Sequence, residues 1–190
     1  MRNVDFSYGP VQVLFDEQAL YIGVIAHDDA PARIVDTPVR HDGVIRTQDF
    51  VVAYVDAIGS KRSAQWFRVN AAGSKADGLH AAADDSEDFA PDFDWDADVA
   101  PHPQGWTAVL RLPFASLRFA EGGQDRWRIM VARRLPREQF HLMTSVPVPR
   151  DAPSFIALDA RTGKLLATDA EDAVDAARPL KRGEERWHER

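Results

Sequence analysis

The chain has no cysteine. That excludes disulfides, thiolate nucleophiles and zinc sites with sulfur ligands, and it suits an envelope protein as well as a cytoplasmic one. Long apolar runs are missing too, so direct membrane insertion through a helix is not expected. The opening residues, MRNVDFSYGPVQ, hold no apolar h-region and no small-residue cleavage site, so export would need a signal outside this chain. Catalytic signatures are equally scarce. The six histidines (His27, His41, His80, His102, His141, His188) show neither His-x-x-x-His nor His-Glu-x-x-His spacing, which argues against a zinc hydrolase. His27-Asp28-Asp29 and His41-Asp42 resemble dipeptides of metal phosphohydrolases, but those need helices that these segments do not form. No Gly-x-Ser-x-Gly elbow and no phosphate-cradling glycine loop is found.

What is present belongs to a folded domain. The 190 residues are 45% hydrophobic and 9% aromatic, enough for one continuous core. The formal charge of -7 is concentrated. Between Asp84 and Asp98 the run DDSEDFAPDFDWDAD holds eight carboxylates and no lysine or arginine, so the rest of the chain sets 23 basic residues against 22 acidic ones. With no dominant basic face, a nucleic-acid partner is not expected. The densest positive region is Arg126, Arg128, Arg133, Arg134 and Arg137, which could instead face the acidic run.

The stretch 48–79 organises the rest. QDFVVAYVDA is apolar on both faces, as a central strand covered on both sides would be. After the polar corner IGSKRS, AQWFRVNAAGSKADGL alternates: Phe67 and Val69 point one way, Trp66, Arg68 and Asn70 the other. A large ring, a guanidinium and a carboxamide in one row make a candidate binding face. The same row also suits a half-exposed sheet face whose arginine pairs with a nearby carboxylate.

Upstream, VQVLFD and ALYIGVIAHD form an antiparallel hairpin, with Leu20, Ile22, Val24 and Ala26 on one face. Residues 31–47, with Pro31, Pro38 and Gly43, read as a loop with room for one short strand or helical turn. Downstream, a short strand is expected around Ala76–His80, then the acidic loop, then strands in WDADVAPHP and GWTAVLRLPF, one helical turn in FASLRF, and strands in DRWRIMVARRLP and FHLMTSVPV. A short helix follows Thr168, where TDAEDAVDAARP offers a capping box from Thr168 to Glu171 and a stop at Pro179. The division expected is a β-sandwich over 1–167 and a short helix with a flexible tail over 168–190. Many short strands without a βαβ rhythm predict an all-β antiparallel sandwich.

AQWFRVNAAGSKADGL followed by FDWDADVAPHPQGWTAVLRLPFASLRF, with VQVLFDEQALYIGVIAHDDAP upstream and VPVPRDAPSF downstream, resembles the carbohydrate-binding module family 9-like domain. It is similar in particular to the version at the N-terminus of outer-membrane proteins of the DUF5916 type, over roughly residues 11–156. The resemblance implies a jelly-roll-like β-sandwich, no catalysis, an oligosaccharide or polysaccharide partner, and a periplasmic or outer-membrane-associated place. It also implies an Arg-x-Asn pair on a strand, here Arg68 and Asn70, with a stacking ring from Trp66 or Trp95. Two departures stand out. Val52 occupies a place where sugar-binding members carry a carboxylate. The family's Asp-Gly opening segment is missing before Val11, so an edge strand is expected to be absent, leaving an open edge through which a homodimer could form.

Calcium is the cofactor to consider, at Asp84, Asp85 and Asp88 or at Asp28 and Asp56 near Asp29, although the acidic run lacks EF-hand spacing and equally suits a solvated loop. Relatives of this sandwich also include haem-binding electron-transfer domains, for which His141 and Met143 on one face of one strand would be the ligands. A third reading is an interaction domain of a larger outer-membrane assembly with no sugar site.

Overall fold

Alternation of apolar and polar residues at period two governs most of this chain, and it delivers strands. The computed structural model describes residues 3–6, 9–119 and 127–145. Within them run β1 (Asn3–Phe6), β2 (Gly9–Phe15), β3 (Ala19–His27), β4 (Phe50–Asp56), β5 (Ser63–Asn70) and β6 (Lys75–Ala81). They continue with β7 (Ser86–Asp88), β8 (Asp96–His102), β9 (Gly105–Pro113), β10 (Arg128–Pro136) and β11 (Phe140–Thr144). Two single 3-10 turns, Pro31–Arg33 and Phe114–Ser116, stand where the sequence left room for them. The helix and tail expected over 168–190 lie outside the described residues. Among the described residues no helix is long and apolar enough to cross a membrane.

The strands form two antiparallel sheets, ordered β1-β2-β3-β9-β8 and β11-β10-β4-β5-β6-β7. Their facing sides hold the main core. On the five-stranded sheet, Leu20, Ile22, Val24 and Ala26 of β3 pair in register with Leu112, Leu110, Ala108 and Trp106 of β9. On the six-stranded sheet, Val51, Ala53 and Val55 of β4 and Phe67 and Val69 of β5 face them. Each fully buried Leu, Ile or Phe contributes about 1.5–3 kcal/mol, so this double layer is the main source of stability. Gly105 lets β9 start close beside β3: at φ 143° it leaves room where a Cβ would sit 2.0 Å from the Ala26 carbonyl oxygen.

Three expectations are corrected. The edge strand thought absent is present, since β1 pairs with β2 (Val4 opposite Val11) and is itself the edge of its sheet. The acidic run is not all loop: β7 lies in it and adds to β6 as the last strand of its sheet, an edge whose charges discourage pairing with another chain. Arg128 and Arg133 of β10 do not pair with the acidic run, whose strand β7 stands on the other side of β4. Arg133 turns inward to Asp49 and Asp28, while Arg128 reaches Asp56.

Candidate functional site

The outer face of the six-stranded sheet carries three cross-strand rows. Arg134, Phe50 and Asn70 stand in one, Ala132, Val52 and Arg68 in the next, and Met130, Tyr54 and Trp66 in the third. The middle row begins with two short side chains, flanked by taller ones on both sides, so the surface sinks into a trough. Val44 and Val39, on the loop before β4, and Phe89, just after β7, pack against the same face. The result is a cavity of about 840 Å³, within the range of roughly 300–1,000 Å³ usual for small-ligand sites. Its lining includes Phe50, Val52, Tyr54 and Phe89, with Arg68, Glu87, His80 and Asp85 as polar groups on the β5–β7 side.

Arg68 is the best-anchored of these. Only 6% exposed, it donates from Nη1 to the Val44 carbonyl at 3.1 Å and from Nη2 to Glu87 Oε1 at 2.7 Å. Its guanidinium carbon sits 4.5 Å from the Phe50 ring centre and 4.6 Å from that of Trp66, an aromatic cradle that holds the cation in place. Its Nε–H is buried and has no hydrogen-bond partner among the described residues. The Tyr54 hydroxyl also donates to Glu87 Oε1, at 3.2 Å. Burial, with the Glu87 charge beside it, pushes the Tyr54 phenol far above its usual range, so it stays neutral. His80 Nε2 lies 3.3 Å from Asp85, and burial draws its pKa below the usual 6.5, against the pull of Asp85, Glu87 and Asp84. At neutral pH its ring is uncharged.

The loop over this face is tied down from beneath. Asn70 Oδ1 accepts from the amides of Ala72 and Ser74, closing the β5–β6 turn, and its Nδ2 donates to the Thr37 carbonyl. Gln48 Nε2 donates to that same carbonyl, and the Val39 amide donates to Ser74 Oγ. His41 Nε2 lies 3.2 Å from the fully buried Asp77, and its Nδ1 lies 3.3 Å from Asp42. Asp77 in turn accepts from the Trp95 indole at 2.9 Å and the Phe93 amide at 2.8 Å. His41, Asp42 and Asp92 also bring ligand atoms within 4.8 Å of one another.

Of the four residues singled out for saccharide, the structure brings Arg68 to the cavity. Trp66 shares its face but is fully buried, edge-on to Phe89 at 4.8 Å and beside the guanidinium, so it supports Arg68 and presents no open ring. Asn70 is fully buried and holds the turn and loop described above. Trp95 lies on the other side of the sheet, in the main core, packed against Phe67 at 5.4 Å. Arg68 itself is not the free guanidinium that strand alternation suggested, since Glu87 and Val44 hold it.

Of the carboxylates considered for calcium, Asp84, Asp85 and Asp88 are exposed around β7, Asp84 accepting from the Ser86 hydroxyl and Asp88 from the Ala90 amide. Asp28 faces Arg133 and Arg137, and Asp56 accepts from the amides of Ser60 and Lys61 with Arg128 at 3.5 Å. His141 and Met143 pair with Leu135 and Arg133, so they face away from the cavity that Leu142 and Thr144 help line. The sequence reading missed Tyr54, His80, Glu87 and Phe89. Tyr54 and His80 were legible as outward positions of β4 and β6, whereas Glu87, which accepts from Arg68 beside Val52, belongs to a strand hidden in the acidic run.

No protein-family model matches the chain, and no curated protein matches it either. Solved structures do. A carbohydrate binding module family 9 from Caldicellulosiruptor kristjanssonii in complex with cellotriose aligns over 79% of this chain and 71% of its own, at 14% identity and a TM-score of 0.55. The same module in complex with glucose gives 14% identity and a TM-score of 0.56, over 79% and 72%. A protein from Bacteroides uniformis, provisionally described as carbohydrate-binding, gives 13% identity and a TM-score of 0.59, over 78% and 73%. At these identities the likeness is one of fold, and it agrees with the sandwich derived above.

Proposed function

We propose that the chain is a non-catalytic carbohydrate-binding domain and that its saccharide lies in the trough on the outer face of the six-stranded sheet. The observation that carries this is Arg68: a nearly buried guanidinium, cradled by aromatic rings, that lines the cavity with one donor still unmatched and Glu87 beside it. Sugars offer what such a site lacks. Their hydroxyls both donate and accept, so one ring can meet the exposed edge of the Arg68 guanidinium and give to Glu87, while its C–H surface rests on Phe50, Tyr54 or Phe89. The sandwich likeness to a module solved with cellotriose and with glucose supports the same reading.

Catalysis has little to work with here. Glycoside hydrolysis needs a carboxylic acid and a second carboxylate on either side of the bond. Of the carboxylates lining the cavity, Glu87 already accepts from Arg68 and Tyr54 at one oxygen, and Asp85 stands against His80. Ser86, whose hydroxyl lines the same cavity, donates to the exposed Asp84 carboxylate. A place at the bacterial cell envelope goes with this reading and is checked by fractionation of cells producing the protein.

The test is calorimetry with glucose and with cello- and xylo-oligosaccharides, repeated for Arg68→Met, which keeps the apolar stem. Loss of charged hydrogen bonds is worth about 1.5–3 kcal/mol, or roughly a 10- to 150-fold weaker Kd. A folded Arg68→Met variant that binds as tightly as the parent, or a parent that binds no saccharide, would end this proposal.

A further inference from the structure

His41 stands between carboxylates on both sides of its ring. Its Nε2 lies 3.2 Å from Oδ1 of Asp77, and its Nδ1 lies 3.3 Å from Oδ2 of Asp42 and 3.8 Å from Oδ1 of Asp92. A neutral imidazole carries one N–H and one lone pair. Asp77 decides which nitrogen holds the hydrogen. Fully buried, and already fixed by the Trp95 indole at 2.9 Å and the Phe93 amide at 2.8 Å, it can only accept, so Nε2 donates to it. The lone pair of Nδ1 is then left facing two carboxylates, an arrangement that a cation between them relieves. Asp42 is set from the same strand: its Oδ1 accepts from the Asp77 amide at 3.3 Å, and its own amide donates to the Lys75 carbonyl at 3.1 Å, which leaves Oδ2 for the ring. Asp92, between β7 and β8, has a side chain 83% exposed that is free to adjust.

We propose that Nδ1 of His41, Oδ2 of Asp42 and Oδ1 of Asp92 bind one divalent transition-metal ion of the zinc type, with water completing its shell. The three ligand atoms already lie within 4.8 Å of one another. Donors held about 2.0–2.1 Å from a tetrahedral ion stand roughly 3.3–3.4 Å apart, close to the separation of Nδ1 from Asp42, and the exposed Asp92 closes the remainder. Asp77 is the outer carboxylate behind the ligating imidazole, fixing its tautomer and raising its basicity. The donor set selects the metal. An imidazole nitrogen suits zinc, nickel or copper, whereas calcium takes about six to eight oxygens. The ligands come from two segments, the loop before β4, which also lays Val39 and Val44 on the outer face, and the chain just after Phe89, which packs on that face too. The ion would therefore clip together two segments that border the trough. None of this depends on what the trough binds.

The experiment is calorimetry of the full chain with zinc chloride, and with calcium chloride as the oxygen-seeking control. The parent is expected to take one zinc ion at least about tenfold more tightly than calcium. His41→Gln keeps an N–H for Asp77 but removes the imidazole lone pair, and Asp92→Asn alters an exposed side chain without touching the core. Each should weaken zinc binding by roughly 10- to 100-fold or more, with the metal-free thermal midpoint of Asp92→Asn unchanged. The double variant Asp84→Asn, Asp88→Asn, in the exposed part of the acidic run, should bind zinc as the parent does. Saturating zinc should raise the thermal midpoint of the parent by roughly 5 °C and that of Asp92→Asn by far less. Nitrogen NMR of the ring should show Nδ1 shifting on zinc addition while Nε2 keeps its proton. Equal zinc affinity in the parent, His41→Gln and Asp92→Asn, or a loss confined to Asp84→Asn, Asp88→Asn, would overturn the site as diffuse attraction to the acidic run. A ring that keeps protons on both nitrogens at neutral pH in the presence of about 1 mM zinc would overturn it too, making the cluster an ion pair that merely holds the loop.

Discussion

The two faces of the six-stranded sheet each bury one arginine, and the two are treated differently. Arg133, on the inner face, is matched throughout: its Nε and Nη2 donate to the two oxygens of Asp49 at 3.2 and 3.0 Å, Nη2 also reaches Asp28 at 3.3 Å, and Nη1 donates to the His27 carbonyl. Asp49 is also reached by the Trp106 indole at 3.3 Å, and Arg137 closes on Asp28. Strands of both sheets therefore meet at one charged knot. Arg68, on the outer face, is as well buried but keeps one donor without a partner, and it borders open space. A fully matched buried charge holds structure together, whereas a partly matched one beside a cavity is where the proposed saccharide site is centred.

The strongest way to break this comparison is Arg133→Met. It leaves Asp49, with no solvent exposure, facing no cation on that side, and it leaves Asp28 to Arg137 alone. Orphaning a buried ion pair costs about 3–5 kcal/mol, so urea unfolding should show a large loss of stability or no folded state at all. The double variant Arg133→Met, Asp49→Leu should recover part of that loss by removing the stranded carboxylate. Arg68→Met, in contrast, should lower saccharide affinity far more than stability, because Glu87 remains partly exposed and hydrated. A loss below about 1 kcal/mol for Arg133→Met would mean that the inner knot is not the scaffold, a pair with only surface-like strength.

The same contrast explains what could be read from the amino-acid order. Period-two alternation put Leu20, Ile22, Val24 and Ala26 on one face of their strand, and the structure buries that face in register with Leu112, Leu110, Ala108 and Trp106 of β9. It also put Arg68 on the face opposite Phe67 and Val69. Alternation tells which face a side chain leaves by, but not how far the next layer stands from it. Trp66 and Asn70 left by the predicted face and met Arg68, Phe89 and the loop carrying Thr37, while Trp95, outside any strand, was drawn into the core. The polar partner of Arg68 escaped notice for another reason. Glu87 sits among eight carboxylates that look like a solvated loop, and only the pairing of β7 with β6 selects it from them.

Gly78→Ala sharpens the comparison at the outer face alone. A Cβ there would lie 2.0 Å from the Asp88 carbonyl oxygen and 2.8 Å from Trp66 Cζ2. Backbone must therefore shift, and the movable element is the three-residue edge strand β7, which carries Glu87 away from Arg68. The expected cost is about 1–3 kcal/mol in stability, smaller than that of breaking the inner knot. The fall in saccharide affinity should match that of Glu87→Gln. If Gly78→Ala binds saccharide normally while Glu87→Gln does not, β7 is not what positions the carboxylate.

The smallest effect expected is a dependence on mild acid, and it too belongs to the outer face, since the inner knot contains no imidazole side chain. His80 is 4% exposed beside the cavity, and burial lowers its pKa from 6.5 in the fold. Above that value the ring is neutral whether the chain is folded or not, and its contribution is complete. As the pH falls below about 6.5 the unfolded chain takes up a proton that the folded chain resists, so stability declines toward the folded pKa. A single titrating group can change stability by at most about 1.4 kcal/mol for each pH step of one, which bounds the slope. Urea midpoints measured between about pH 7.5 and 5.5, above the range in which ordinary carboxylates titrate, should fall for the parent and stay flatter for His80→Gln. Asp85→Asn removes the charge that partly offsets the burial of His80, so its slope should be steeper than the parent's. A parent and His80→Gln variant with the same slope would assign the response to another group and leave the histidine as a neutral wall of the trough.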